Sequence, residues 1–212
     1  MKFIFSLAFV FISVITFAQV AFPNPSPLQT IRQDFGMSAV EIIYSRPGVK
    51  GRKIIGYNEP YGRVWRTGAN APTKIHFYNP VDIKGTKLDT GIYVLYTIPT
   101  EKDWTVIFNK GVKNLGSDQY KQGEDVCRIT VTPERKRKPL ETFTIQFDNV
   151  KPESCDISVM WEDWAISIPI NVDVKEPLRQ QIEDDLNKET PGYYLAAQFY
   201  YEYDHNIRRL SK

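Results

Sequence analysis

Residues 141–148 read Glu-Thr-Phe-Thr-Ile-Gln-Phe-Asp, and residues 164–170 read Trp-Ala-Ile-Ser-Ile-Pro-Ile. In both stretches large apolar side chains alternate with polar or small ones. This period of two is typical of a β-strand that buries one face and exposes the other. The two segments therefore predict a β-sheet with one apolar face, and they indicate the fold class of the chain around them.

Shorter runs of β-branched and aromatic residues extend this pattern along the chain. They are residues 39–45, 73–78, 91–98, 103–109, 125–132 and 154–161. About eight strands at this spacing predict a mainly β fold, an antiparallel β-sandwich or a flattened barrel. The turn signals between them predict a solvated hairpin loop at residues 134–139 and a tight hairpin turn at residues 162–163.

The pattern changes from strand to helix after residue 172. Apolar residues then recur every four positions, as on one face of a helix: Val174, Leu178, Ile182 and Leu186. Thr190-Pro191 predicts the start of a second helix over 193–210. We therefore expect a β-sandwich domain over 19–172 and a C-terminal helical hairpin over 173–212, packed on that domain.

The second predicted helix is rich in aromatic residues. We expect its aromatic face to pack on the sheet or on the first helix, and a partner-binding face is the alternative. The residues of this face are Tyr194, Phe199, Tyr201 and Tyr203.

Residues 1–18 predict a cleavable signal peptide. Lys2 precedes an apolar, acid-free run over 3–18, and Thr16 and Ala18 suit the cleavage site. A run of this length is shorter than the roughly 20 residues of a membrane-spanning helix, which favours cleavage over an uncleaved anchor. We therefore expect a periplasmic or secreted protein without a membrane span after cleavage.

Charge and motifs exclude several function classes. The chain has 27 basic and 25 acidic residues, so net charge does not favour binding to nucleic acid. Neither a phosphate-binding loop nor zinc-ligand spacing is present. The two histidines, His76 and His205, accompany no nucleophile motif. The sequence thus predicts no cofactor, metal or catalytic residue.

Cys127 and Cys155 are the two cysteines of the chain. Both share parity with the apolar side of their predicted strands, so we expect them to face one core. In an oxidising compartment such a pair can form a disulfide. The alternative is two buried free thiols that act as small apolar side chains.

The candidate binding site lies in the glycine-broken stretch 44–70, which holds six basic residues and a single acid, Glu59. Long loops in a compact domain tend to be functional, and arginine offers a planar fork for carboxylate or phosphate. The alternative is that the arginines bind loop carbonyls while the tryptophan fills the core. The candidate ligand-binding residues are Arg46, Lys50, Arg52, Trp65, Arg66 and Asn70.

Three segments carry a resemblance to a known family. They are Tyr-Ser-Arg-Pro-Gly-Val-Lys-Gly-Arg-Lys-Ile at 44–54, Pro-Tyr-Gly-Arg-Val-Trp-Arg-Thr-Gly-Ala-Asn at 60–70 and Gly-Ile-Tyr-Val-Leu-Tyr-Thr-Ile-Pro at 91–99. Through them residues 26–148 resemble the bacterial domain of unknown function 2911 (DUF2911) family, which is common in Bacteroidota. The resemblance implies export and a shared fold, but no reaction.

The expected function is a non-enzymatic binding or structural module whose loop takes a small anionic or carbohydrate ligand. The competing class is a secreted hydrolase that acts on glycans through paired carboxylates, since Asp and Glu are plentiful and their pairing is spatial. A structural envelope protein without a small ligand is the third class. Bonding of buried Arg46 and Arg66 to backbone carbonyls would exclude the ligand hypothesis, and two carboxylates that face each other across a cleft would favour the hydrolase. A structure with neither a cleft nor an accessible basic cluster would favour the structural class.

Overall fold

A computed structural model describes residues 22–205 of the chain. They form two antiparallel sheets that share one hydrophobic core, followed by two short helices. The predicted mainly β sandwich with a C-terminal helical hairpin is therefore confirmed, and the sheets do not close into a barrel. The predicted signal peptide lies outside the described residues. Within those residues, no helix has the length and apolar content needed to span a membrane.

The first sheet contains six strands in the order β1-β2-β3-β6-β7-β8. Their bounds are β1 (Leu28–Phe35), β2 (Ser38–Ser45), β3 (Lys74–Phe77), β6 (Gly91–Ile98), β7 (Trp104–Asn109) and β8 (Asp125–Val131). The second sheet contains four strands in the order β5-β4-β10-β9. Their bounds are β4 (Val81–Ile83), β5 (Thr86–Leu88), β9 (Glu134–Asp148) and β10 (Ser154–Asn171).

The alternating residues that predict the sheet do bury one face. Five of them are 0–2% exposed and belong to the shared core: Phe143, Ile145, Ile166, Ile168 and Ile170. Strands β1, β4 and β5 are absent from the sequence prediction. Strands β4 and β5 have three residues each, too few to show a period, and β1 is largely polar because it lies at a sheet edge.

Two predicted turns are wrong, because both lie inside strands. Residues 134–139 begin β9, where Arg135 is paired with Trp164. Their charged side chains are compatible with β9 as an edge strand. Residues 162–163 lie within β10, which continues to Asn171. The ladder shifts register at Glu162, whose φ is 52°, so a β-bulge interrupts the alternation there.

The two cysteines are buried free thiols, so the structure does not contain the disulfide that the sequence allows. Cys127 lies on β8 and Cys155 on β10, and both belong to the shared core, as their parity predicts. Burial raises the pKa of the Cys155 thiol to about 12 and also raises the pKa of Cys127. Both residues therefore act as small apolar side chains.

We expect neither thiol to react with iodoacetamide in the native protein at pH 8, because the thiolate is the nucleophile and burial disfavours it. Mass spectrometry after labelling should find an unmodified native chain and a doubly labelled chain when labelling follows denaturation in urea. Rapid labelling of the native chain, or a denatured chain that needs a reductant before it reacts, would contradict free buried thiols.

The C-terminal hairpin consists of α1 (Lys175–Leu186), α2 (Tyr193–Phe199) and one π-helical turn over Tyr200–Asp204. The α-helix that the sequence predicts over 193–210 thus ends at Phe199, and residues 206–210 lie outside the described residues. Gly192, rather than Thr190, precedes α2 as its N-cap residue. Arg179 Nη2 donates to Asp204 Oδ1 at 2.8 Å and joins α1 to the π-helical turn.

The predicted aromatic face of the hairpin divides into two parts. Phe199 is buried in a small core with Ile182 of α1, and Tyr203 packs against that core. Tyr194 and Tyr201 instead are 79% and 69% exposed. The prediction that this face packs on the first helix is thus right for Phe199 and Tyr203. The packing of the hairpin on the sandwich stays a prediction.

Candidate functional site

The connection between β2 and β3, residues 46–73, is here called the β2–β3 loop. Backbone hydrogen bonds join it to both sheets. The N–H of Val49 donates to the carbonyl of Glu141 on β9 at 2.7 Å, and the N–H of Trp65 donates to the carbonyl of Thr97 on β6 at 2.7 Å. The loop is therefore held at two places, one on each sheet, although it has little regular structure.

The carboxylate of Glu162 anchors the middle of this loop. Its Oε1 accepts the N–H of Ile54 and its Oε2 accepts the N–H of Ile55, both at 3.0 Å. Both isoleucines are buried in the shared core. The bulge in β10 presents this side chain to the loop. The sequence shows only the interrupted alternation at residue 162, which does not reveal the partner.

Three of the six candidate residues lie at the edge of the loop or hold it in place. Arg46 Nε donates to the carbonyl of Phe143 at 3.1 Å, which follows the structural alternative. Asn70 Nδ2 donates to the carbonyl of Ser26 at 3.2 Å, and its φ of 57° marks a left-handed turn. Lys50 lies on an exposed turn.

Trp65 also follows the structural alternative. It is 2% exposed, and its indole N–H donates to the carbonyl of Gly68 at 3.2 Å. Its ring is stacked on Trp161 at a centroid distance of 5.8 Å. Trp65 therefore fills the core beneath the loop and presents no open face to a ligand.

The remaining two candidates, Arg52 and Arg66, line one cavity of about 220 Å³ together with Glu59 and Trp161. Arg52 is held in place because its Nε and Nη2 donate to loop carbonyls at 3.0 and 2.7 Å. The half-buried guanidinium of Arg66 differs from it. Among residues 22–205 it has neither a hydrogen-bond acceptor nor an ion-pair partner. The cavity is thus lined by a cation that has no partner within the part of the chain that the structure describes.

Glu59 is the carboxyl group of this cavity. Burial raises its pKa to about 7, although the nearby Arg66 lowers it in part. The two side chains do not form an ion pair within 4 Å, so each keeps its polar atoms for other partners. Near neutral pH the Glu59 carboxyl is therefore present in both its protonated and its ionised form.

Trp161 adds a second polar group without a partner. The residue is 5% exposed, and its buried Nε1 has no acceptor among the described residues. A buried N–H left unpaired costs about 1–3 kcal/mol. Trp104 of β7 shares this feature but does not line the cavity. Trp161 does line it, whereas its Nε1 atom itself is shielded from solvent.

A family model described as "Protein of unknown function (DUF2911)" matches residues 26–170, which is most of the chain. The chain belongs to the DUF2911 family. The match confirms the resemblance over 26–148 and extends it through most of β10, so it includes both the β2–β3 loop and Trp161. Comparison with curated proteins and with solved structures gives no significant match. For this DUF2911 chain, the cavity is therefore the feature that bears on function.

The structure gives the glycan-hydrolase alternative no support. A larger cavity of about 560 Å³ lies beside β9 and β10, where Asp148 and Asp156 are cross-strand partners. A general acid needs a raised pKa. Hydrogen bonds from Ser158 and Gln146 instead lower the pKa of Asp148. Glu59 does have a raised pKa, but the charged group that affects this pKa is Arg66 and not a second carboxylate.

Most residues that line the cavity are absent from the predicted site, and Glu59 and Trp161 are the two of them with chemistry relevant to a ligand. Glu59 stands out in the sequence as the single acid among six basic residues of the stretch 44–70. This single acid is a usable signal, since an acidic residue within a basic loop is a candidate partner for the arginines of that loop. Trp161 is about a hundred residues away along the chain and carries no such signal.

Proposed function

We propose that this DUF2911 protein is a non-enzymatic binding module for a small anion, which occupies the cavity lined by Arg52, Arg66 and Trp161. The observation that supports it is that Arg66, a half-buried arginine without a hydrogen-bond or ion-pair partner among the described residues, lines a cavity. Arginine binds carboxylate and phosphate groups through two parallel hydrogen bonds, and a partly buried site strengthens them.

The cavity favours a small anion over a carbohydrate. A volume of about 220 Å³ holds roughly seven groups of water size, since each water occupies about 30 Å³ in the liquid. An oligosaccharide or a nucleotide exceeds this volume. The tryptophans near the cavity, Trp65 and Trp161, lie in the core and leave no exposed ring for a sugar to stack on. We further propose that the module acts in the periplasm or after secretion, as the signal peptide predicts.

Replacing Arg66 by alanine tests this proposal. We expect the wild-type protein to bind at least one member of a panel of acetate, succinate and sulfate, measured by isothermal titration calorimetry. The Arg66→Ala variant should bind that anion about 10- to 100-fold more weakly, because it loses charge-assisted hydrogen bonds. The matched control is Arg63→Ala, which removes an exposed arginine of the same loop that does not line the cavity.

The control separates a specific site from general attraction to a basic loop. Equal losses in the Arg63→Ala and Arg66→Ala variants would show that net charge alone attracts the anion, and the proposed site would be wrong. Failure of the wild-type protein to bind any member of the panel would also contradict it. Circular dichroism spectra of both variants check that the sandwich stays folded.

A further inference from the structure

The ionisable groups that line the cavity include both cations and a carboxyl group. Arg52 and Arg66 are cations, and Glu59 is the carboxyl group that lines the same space. Arg66 and Glu59 both line this space, and they do not form an ion pair within 4 Å. An anion that binds Arg66 comes close to Glu59, and an ionised Glu59 would repel it.

We infer that the anion binds together with one proton, which stays on Glu59, and that the ligand is therefore a small oxyanion held between the Arg66 guanidinium and the hydroxyl of a neutral Glu59 carboxyl. This inference rests on the proposed function. The proton comes from solvent and remains on a Glu59 oxygen. The Glu59 O–H donates to one ligand oxygen, Arg66 donates to another, and no bond of the ligand is broken.

The surroundings of Glu59 make this proton available near neutral pH. Burial already brings the pKa of Glu59 to about 7 in the empty cavity, against the opposing effect of Arg66. The charged group that acts on Glu59 is Arg66, while Glu162 of β10 has both oxygens engaged by the N–H groups of Ile54 and Ile55. A bound anion adds a like charge and raises the pKa of Glu59 further.

The sign of the pH dependence follows from this linkage. Protonated Glu59 favours the anion and ionised Glu59 opposes it, so affinity rises as the pH falls from 8 to 6. Uptake of one proton limits the change to about tenfold per pH unit. With a pKa of about 7 in the free protein, the dissociation constant should be about tenfold larger at pH 8 than at pH 6.

The test uses the full chain and two anions whose own charge stays constant between pH 6 and 8. Acetate represents planar carboxylates and sulfate represents tetrahedral oxyanions. Titration calorimetry gives each dissociation constant at pH 6 and pH 8 at one ionic strength, because salt screens such interactions. We expect a roughly tenfold loss of affinity at pH 8 for the anion that binds, and its identity separates the two oxyanion classes.

The Glu59→Gln variant tests the role of the proton. Glutamine keeps a donor at this position but does not titrate, so its affinity should equal that of the wild type at pH 6 and should not change at pH 8. The matched control is Glu101→Gln, which removes an exposed carboxylate that does not line the cavity and should retain the wild-type pH dependence.

The outcomes distinguish the two proposals. If the wild type binds with equal affinity at both pH values, or if Glu59→Gln keeps the wild-type pH dependence, the proton-coupled inference is wrong while anion binding stands. If neither the wild type nor Glu59→Gln binds acetate or sulfate at either pH, the proton-coupled inference is wrong, and the proposed function is wrong as well if the wild type also fails to bind succinate.

Discussion

Replacing Trp65 by alanine is expected to lower the free energy of unfolding by about 3–5 kcal/mol, the usual cost of truncating a large buried aromatic residue. The indole ring is stacked on Trp161 and makes edge contacts with Phe143 at 5.4 Å and with Trp104 at 6.3 Å. These neighbours come from three different strands. Its removal therefore leaves a void that no single strand can close by a small shift.

Urea denaturation followed by circular dichroism measures this effect. The matched control is Tyr57→Ala, because Tyr57 lies in the same loop but is 72% exposed, and it should change the free energy of unfolding by less than about 0.5 kcal/mol. A Trp65→Ala variant within 1 kcal/mol of the wild type would show that the ring is not an essential part of the core.

The second large effect is expected for Glu162→Ala, at about 2–4 kcal/mol of lost stability. The substitution removes a carboxylate that accepts two backbone N–H groups and leaves those of Ile54 and Ile55 buried without a partner. Hydrogen bonds to charged groups contribute about 1.5–3 kcal/mol each, and an unpaired buried group costs more than one exposed to water. The loop should also hold the cavity less firmly.

Amide hydrogen exchange of Ile54 and Ile55, observed by NMR, measures the local consequence. Both amides should exchange much faster in Glu162→Ala, while amides in the centre of β6 should change only with global stability. The matched control is Asp163→Asn, which weakens an ion pair with Arg135 that is largely exposed and should cost less than about 1 kcal/mol. Unchanged exchange at Ile54 and Ile55 would contradict the anchoring role.

The strands that alternate strictly are the part of the fold that the sequence predicts well. In 141–148 and 164–170 each side chain's face follows from its position, because neighbouring residues of a strand point to opposite sides. The prediction fails at residues 134–139 and at Glu162, where composition suggests turns. Charged residues there lie on an edge strand and at a bulge, and only the pairing of β9 with β10 reveals this.

The residues of the candidate site could likewise be predicted from the sequence only in part. The sequence selects the stretch 44–70, which includes part of the cavity lining, yet it does not separate Arg46, which binds the carbonyl of Phe143, from Arg66, which has no such partner among the described residues. Both are arginines in a basic stretch, and what differs is a strand about a hundred residues further along the chain. Partners of this kind are set by tertiary structure, so a single sequence carries little trace of them.

The two-sided attachment of the β2–β3 loop also sets when the site can form during synthesis. Ile54 is anchored by Glu162, which follows it by 108 residues, and Arg46 is held by Phe143, which follows it by 97. A nascent chain that ends at β8 has neither anchor, so the loop is left without its hold on the second sheet. Contacts between such distant residues also form slowly. The cavity is therefore among the last parts of the molecule to be completed, and it requires that the last β-strand, which carries Trp161, is already in place.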